Sequence, residues 1–348
     1  KWLVDFGKCL TGWPELKLHN NAAGSQVKIQ YWEVEQGWGD AGYDTYVCSG
    51  GEETFKTPYV RHTSFRLLEI SGYQGELTAD DVKGIVAYSD VDLQGSFQSS
   101  DERLNAVFEM CERSSRQNIQ QGIISVDANR EQSPWTADSW NIGIGYLYNH
   151  ANTMVIDKVI KDYAGEQLAS GNFLTCSPAR DFMSEMPEWS MYWPMMLWEQ
   201  YLFSGNANLL QEYYPNLIRF MDYMERYYSS GTGLYNPPGS RASDYAGGSL
   251  ENGGDNIATN SQLYMNFNIA SNIAKTIGND SDADHYAKQA EELKQAINRN
   301  LLVNGEKYKT SSGSGQTHPL GTAWALRSGV VPEAFYDRVV TWLAKQKN

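Results

Sequence analysis

Residues 125–148 read SVDANREQSPWTADSWNIGIGYLY, and the change of pattern inside this stretch decides the fold. Its first half, DANREQSP, has no apolar periodicity and reads as a loop. From Thr136 the spacing turns helical: Trp140, Ile144, Leu147 and Tyr148 follow at three- and four-residue steps, with Thr136 as N-cap. Asp138 falls in the first turn, where a negative charge meets the positive end of the helix dipole. Three carboxylates (Asp127, Glu131, Asp138), Arg130, Trp135 and Trp140 crowd into fourteen residues, more than a cap needs. A loop that feeds a helix start holds such groups rigidly while leaving them accessible.

On the N-terminal side the chain reads as β structure. Trp2–Phe6, Glu15–His19, Gln26–Glu33, Asp44–Cys48, Ser64–Ile70 and Ile85–Tyr88 are short runs rich in Val, Ile, Tyr, Phe or Leu, separated by Gly-, Asn- and Asp-rich turns such as NNAAGS and SGGEET. Regular short strands favour a sandwich. The segment Ser89–Ser100 is the expected junction, which divides the chain into a β domain at 1–95 and a helical domain at 96–348.

Beyond the junction the period is helical almost throughout. Ser100 or Asp101 caps a helix whose apolar side carries Leu104, Val107, Phe108 and Cys111, with Cys111 expected in the core. Further helices are expected over Thr136–Asn149, Met154–Leu168, Trp189–Phe203, Ala207–Tyr228, Asn260–Ile277, Ser281–Leu302, Pro319–Arg327 and Pro332–Gln346, about nine in all. The connections Ser170–Glu188 and Ser229–Thr259 are long and rich in Gly, Ser and Asp, while GN and GNDS elsewhere are simple turns. Long loops alternating with short ones put the decorated loops at one end of an array of helical hairpins, as in a barrel with a pocket at that end.

The 348 residues carry 28 Lys and Arg against 42 Asp and Glu, a net charge of −14, which disfavours a nucleic-acid partner. Aromatic residues make up 13%, with 11 Trp and 22 Tyr, flat faces that suit sugar rings as well as cores. Cys9, Cys48, Cys111 and Cys176 show no CxxC spacing, although Cys9 and Cys48 could meet across a sheet. His19, His62, His150, His285 and His318 stand apart, so neither a metal site nor a cofactor is expected. There is no glycine-rich phosphate loop, no GxSxG and no membrane-spanning run. The chain opens directly in the strand-like KWLVDF, and an earlier portion is expected before it.

Paired carboxylates among aromatics point to glycoside hydrolysis, in which one carboxylic acid protonates the leaving oxygen. Its pKa must be raised by burial or by a neighbouring anion. Glu131, between Asp127 and Asp138, has such neighbours. Arg130 would oppose the shift if it reached Glu131, and would leave the acid free if it turned to Asp127 or to sugar hydroxyls. A lyase working by β-elimination on a helical barrel stays open.

These residues resemble the bacterial α-L-rhamnosidases of glycoside hydrolase family 78, whose motif runs Asp–loop–Arg–Glu–Arg–x–Gly–Trp–Thr–Gly–Asp. Asp127, Arg130, Glu131, Trp135, Thr136 and Asp138 match it. Gln132 stands in place of the second Arg, and Pro134 and Ala137 in place of the glycines. The resemblance extends to VDFGKCLTGWPELKL at 4–18, YVRHTSFRLLEISG at 59–72, GSFQSSDERLN at 95–105, PEWSMYWPMMLWEQYLFSGN at 187–206 and SDYAGG at 243–248. It implies a β-sandwich followed by an (α/α)6 six-hairpin barrel, and inverting removal of terminal α-L-rhamnose from oligosaccharides, polysaccharides or glycosides. It also implies roles: Glu131 as general acid, Asp127 and Asp138 on rhamnose, Trp189 and Tyr245 as aromatic subsite residues, and Asp244 as a sugar-hydroxyl acceptor.

The family's general base lies in a Trp-Glu-Arg-Trp segment that this sequence does not contain. Nine helices rather than twelve are expected here, so the barrel is expected to be incomplete at its C-terminus and the chain to be a piece of a longer one. Within it, Glu188, Asp244 and Glu251, in or beside the long loops on the expected pocket side, are the best substitutes for that base. Glu188, Asp127, Arg130, Trp135, Asp138, Trp189, Asp244 and Tyr245 make up the expected substrate-binding set. A sugar-binding protein that keeps the pocket without the base is the alternative.

Overall fold

In a computed structural model of the chain, the residues described are 1–34, 40–57, 63–125, 128–129, 132–150, 152–178, 185–239 and 254–346. They form two compact units, Lys1–Pro134 with Tyr148–Ala151, and Trp135–Leu147 with Asn152–Asn348.

The first unit is built on one six-stranded antiparallel sheet of β1 (Trp2–Asn21), β2 (Gln26–Trp32), β3 (Asp40–Val47), β4 (Gly51–Lys56), β5 (Thr63–Ser71) and β6 (Val82–Val86). The order β3-β2-β5-β1-β4 places β1 between β5 and β4, and β6 pairs with β1 as well. The two runs expected at Trp2–Phe6 and Glu15–His19 are thus one continuous strand. Gly7, Gly12 and Pro14 read as breakers, but they are absorbed by a register shift between Asp5 and Leu10 and by the close approach of β6. Gly12 has φ +155°, and a Cβ there would lie 1.8 Å from the Ile85 carbonyl oxygen. The last four residues of SGGEET, expected as a turn, open β4. Alternation along β2 sends Val27, Ile29 and Tyr31 into a core with Leu16 and Leu18 of β1 and with Phe65, Leu68 and Ile70 of β5, which is buried along most of its length. Each such burial stabilises by about 1.5–3 kcal/mol.

Helix α1 (Glu102–Gln117) begins at Asp101, whose side chain accepts from the Arg103 amide. Its expected core face is not buried. Leu104, Val107 and Cys111 are exposed, and Phe108 is half-buried against Phe97 at 5.5 Å. The placing of Cys111 in the core is therefore corrected, since apolar spacing specifies a face and not what covers it. After α1 comes a two-stranded hairpin, β7 (Ile119–Gln120) and β8 (Ile123–Ile124). Gln121 and Gly122 turn it with positive φ (55° and 73°), the mirror-image turn that matches strand twist. All four cysteines are free thiols.

The second unit is helical: α2 (Thr136–His150, its last turn in the first unit), α3 (Met154–Gly165), α4 (Pro187–Ser190), α5 (Tyr192–Ser204), α6 (Asn208–Glu225), α7 (Ile257–Thr276), α8 (Asp280–Leu301), α9 (Pro319–Ser328) and α10 (Tyr336–Ala344). Gly205 in a left-handed conformation ends α5 before α6, and Gly278 (φ 84°) does so between α7 and α8. Asn279 then caps α8 by accepting from the Asp282 amide. α6 and α8 bury one stripe each, whereas α7 is buried on nearly every side, from Ile257 through Phe267 to Ala274. One helix enclosed and the next one-sided is the inner–outer alternation of stacked hairpins. Among the described residues no helix is long and apolar enough to cross a membrane.

Candidate active site

Three helix starts of the second unit carry the site. At α2, Thr136 is the first helical residue and not a side-chain cap. Its amide and its hydroxyl both donate to the Thr175 carbonyl, each at 3.0 Å, and Trp135 forms a β-bridge with Cys176. The Tyr163 hydroxyl donates to the same carbonyl at 3.3 Å. This anchorage fixes the direction in which Trp135 and Asp138 leave the backbone.

At α4, Pro187 occupies the first turn, as its locked φ favours. Glu188 and Trp189 follow, both half-buried. Glu188 is held from α7: its Oε1 accepts from the Thr259 hydroxyl and its main-chain carbonyl accepts from Gln262 Nε2 at 2.8 Å. Asn256 caps α7 by accepting from the Thr259 amide at 2.8 Å, which orders the turn that presents Thr259.

Aromatic rings tie these starts together. Trp135 and Trp189 have centroids 6.3 Å apart, Trp189 and Tyr192 6.4 Å, and Tyr192 and Trp140 5.2 Å. The Arg327 guanidinium lies over the Trp140 ring at 5.1 Å. Burial pushes the Tyr192 hydroxyl above its usual range. Arg327 opposes the shift, and Asp138 and then Glu188 add to it. Both carboxylates thus reach one phenol electrostatically, beside a wall of two indoles. Burial also raises the Glu199 carboxyl, against the pull of Arg327.

Of the expected site residues, Trp135, Asp138, Glu188 and Trp189 come together in this way. Asp127, Arg130, Glu131, Asp244 and Tyr245, with Glu251, lie outside the described residues. Gln132 takes φ 49° and its Nε2 donates to the Ala128 carbonyl at 2.9 Å. Thr259, Gln262, Tyr192 and Arg327 were not expected. A signal for the first two was present: Thr259, Asn260, Ser261 and Gln262 are four polar residues in succession at the start of a helix with no polar face, and all four are buried. Among the described residues no group of three His, Cys, Asp or Glu could hold a metal.

A sheet-rich portion ahead of helical hairpins, with carboxylates and indoles at the helix starts, defines the six-hairpin glycosidase class. Residues 92–347 match the family model of the bacterial alpha-L-rhamnosidase 6 hairpin glycosidase domain, and residues 1–88 that of the bacterial alpha-L-rhamnosidase concanavalin-like domain. The chain belongs to the bacterial α-L-rhamnosidase family. It is 23% identical over 375 residues to an alpha-L-rhamnosidase of Formosa agariphila, covering 99% of this chain and 39% of that protein. An alpha-L-rhamnosidase of Streptomyces avermitilis is 23% identical over 350 residues, covering 97% and 33%. Among solved structures, the rhamnosidase of Bacillus sp. GL1 superposes with a TM-score of 0.89 at 20% identity, covering 99% of this chain and 37% of that one. The Streptomyces avermitilis enzyme, complexed with L-rhamnose, does so at 0.83 and 21%, covering 98% and 33%. The fold is thus that of the rhamnosidases, an antiparallel sheet-rich portion followed by helical hairpins, and the chain spans between a third and two fifths of the length of these relatives.

Proposed function

We propose that this chain carries the acid and sugar-holding side of an inverting α-L-rhamnosidase, acting on terminal α-L-rhamnose of oligosaccharides, polysaccharides or glycosides. The observation that carries the reading is the packing of Trp135 against Trp189 beside Tyr192, with Asp138 and Glu188 on the same helix starts and both raising the Tyr192 hydroxyl electrostatically, in a chain of the rhamnosidase family. Half-buried carboxylates accept from sugar hydroxyls, and the indoles offer the apolar ring face and C6 methyl of rhamnose a surface to pack on. Asp127 and Arg130 add to the hydroxyl contacts, and Asp244 and Tyr245 extend the pocket from their loop.

Glu131 is the general acid in this reading. It delivers its proton to the glycosidic oxygen as the bond to the anomeric carbon breaks, and the negative neighbours Asp127 and Asp138 favour its protonated form. Inversion further requires a carboxylate about 6.5–9.5 Å from the acid, with room for water between. No residue of this chain is assigned that role. The division near residue 95 into a β domain and a barrel domain belongs to the same proposal, and the limits of the two family matches, 88 and 92, support it.

The test compares Glu131→Gln with the unaltered protein on two rhamnosides. With an unactivated alcohol as leaving group the rate should fall by about 10²–10⁴, and with a nitrophenol far less, because that leaving group needs no proton. Equal losses on both would make Glu131 a binding residue. A titration of tryptophan fluorescence with L-rhamnose reads the pocket without turnover, and Asp138→Asn should abolish the response.

A further inference from the structure

The first unit contains a pocket of about 200 Å³, open to solvent, between its sheet and the last turns of α1. Its lining is polar and mixed in charge. Cys9 and Thr11 come from β1, Ser64 from β5, Glu33 from just past β2, and Arg113 and Gln117 from α1. The buried Ser64 hydroxyl donates to Glu33 Oε1, and Gln117 Nε2 donates to the Cys9 carbonyl at 3.3 Å. Burial first, and Glu33 second, push the Cys9 thiol up to about 11, so at neutral pH it is an uncharged lining group. Arg113, half-buried, makes no ion pair among the described residues.

One carboxylate and one guanidinium give the lining no net charge while offering strong acceptors and strong donors side by side. An anion would meet Glu33 and a cation would meet Arg113, and an apolar guest would strip water from both with nothing in return. A ring of hydroxyl groups satisfies both, since each hydroxyl donates and accepts. At about 200 Å³ the space is below the ~300–1,000 Å³ of drug-sized sites, which limits the guest to one ring. Ala128, three residues before Glu131, forms part of the wall.

We propose that this cavity is a second carbohydrate pocket that takes one neutral sugar ring, with Arg113 and Glu33 as its hydroxyl-recognising pair. The choice of a sugar as guest rests on the rhamnosidase reading; the pocket's charge balance does not. Occupancy is read at Cys9, whose thiol borders the guest.

The experiment uses the whole chain carrying Cys111→Ser, which removes the exposed thiol. Alkylation of Cys9 by iodoacetamide is followed by peptide mass at mildly alkaline pH, alone, with the neutral one-ring sugar methyl α-L-rhamnoside, and with glucuronate. The methyl rhamnoside at ten times its dissociation constant should slow Cys9 alkylation about tenfold, in proportion to occupancy, and glucuronate should not. Glu33→Gln and Arg113→Gln should each weaken that protection about tenfold or more, as expected for a lost hydrogen bond to a charged group. No protection by the methyl rhamnoside, equal protection by glucuronate, or undiminished protection in either variant overturns the proposal. Turnover is not needed, so failure here leaves the test of Glu131 untouched, and failure there leaves this one.

Discussion

Thr259→Val tests how the second unit aims a carboxylate. The substitution keeps the branched shape of a fully buried side chain on α7 and deletes the hydroxyl that donates to Glu188 Oε1. A hydrogen bond to a charged group is worth about 1.5–3 kcal/mol, and Glu188 is only half-buried, so water can replace part of it. The lower end of that range applies, and at about 1.4 kcal/mol per decade it corresponds to roughly tenfold weaker L-rhamnose binding. Titration through the tryptophan fluorescence of Trp135 and Trp189 measures this, with thermal unfolding run in parallel. Thr259→Ser should restore most of the affinity, because it returns the hydroxyl to the same turn. If Thr259→Val binds rhamnose within about twofold of the unaltered protein and melts at the same temperature, the idea that α7 positions Glu188 on the sugar is wrong.

Three further outcomes follow from the packing and the charges. His19 bridges Glu52 (Nδ1 to Oε2, 2.5 Å) and Asp81 (Nε2 to Oδ1, 2.9 Å); the Asp81 bond first and the Glu52 bond second raise its pKa, while the His19 bond holds Asp81 well below the usual carboxylate range. A raised histidine pKa contributes stability that is complete below its unfolded value and is lost as pH rises through the folded one. His19→Gln should therefore lower the melting temperature most at weakly acidic pH, with the gap closing towards alkaline pH and again as Asp81 protonates; a constant gap across pH would count against the bridge. Gly12→Ala puts a Cβ against the Ile85 carbonyl in a strained φ, and should cost about 1–3 kcal/mol or more in urea unfolding, with near-neutrality as the contrary result. Phe267→Ala removes a fully buried ring packed on Tyr235 at 5.6 Å and Tyr286 at 6.3 Å, and should cost about 3–5 kcal/mol in the same measurement.

The helices were legible in the sequence because one-sided burial leaves a period. α6 and α8 start and stop within three residues of where their spacing put them. α5 was harder: its period runs into α4, and only the chain's turn at Met191 separates Pro187–Ser190 from Tyr192–Ser204. β1 was cut in two because Gly7, Gly12 and Pro14 are breakers in most strands, and only the opposing β5 and β6 make them tolerable. At the site, Trp135, Asp138, Glu188 and Trp189 announced themselves as acidic and aromatic residues crowded where loops run into helix starts. Tyr192 and Arg327 did not, since nothing in the sequence says that the end of α9 reaches the Trp140 ring. The exposure of Leu104 and Val107 was illegible for the same reason, as the periodicity of α1 is a property of that helix alone.

The long first strand has a consequence for synthesis. β1 leaves the ribosome before β4, β5 and β6, its partners among the described residues: Leu16 waits for Phe55, Trp2 for Ile70, and Gly12 for Val86. Until then a twenty-residue extended segment carrying Trp2, Leu10, Trp13, Leu16 and Leu18 lacks these three partners, the condition in which nascent chains seek other strands. Lys8 and Lys17 interrupt its apolar positions and act as gatekeepers against such pairing. Translation arrested after residue 75 should leave β1 open to protease while still tethered, and arrest well past residue 120 should protect it. The sheet of this unit is thus committed late, by β6, although β1, the strand with three partners, is made before all three of them.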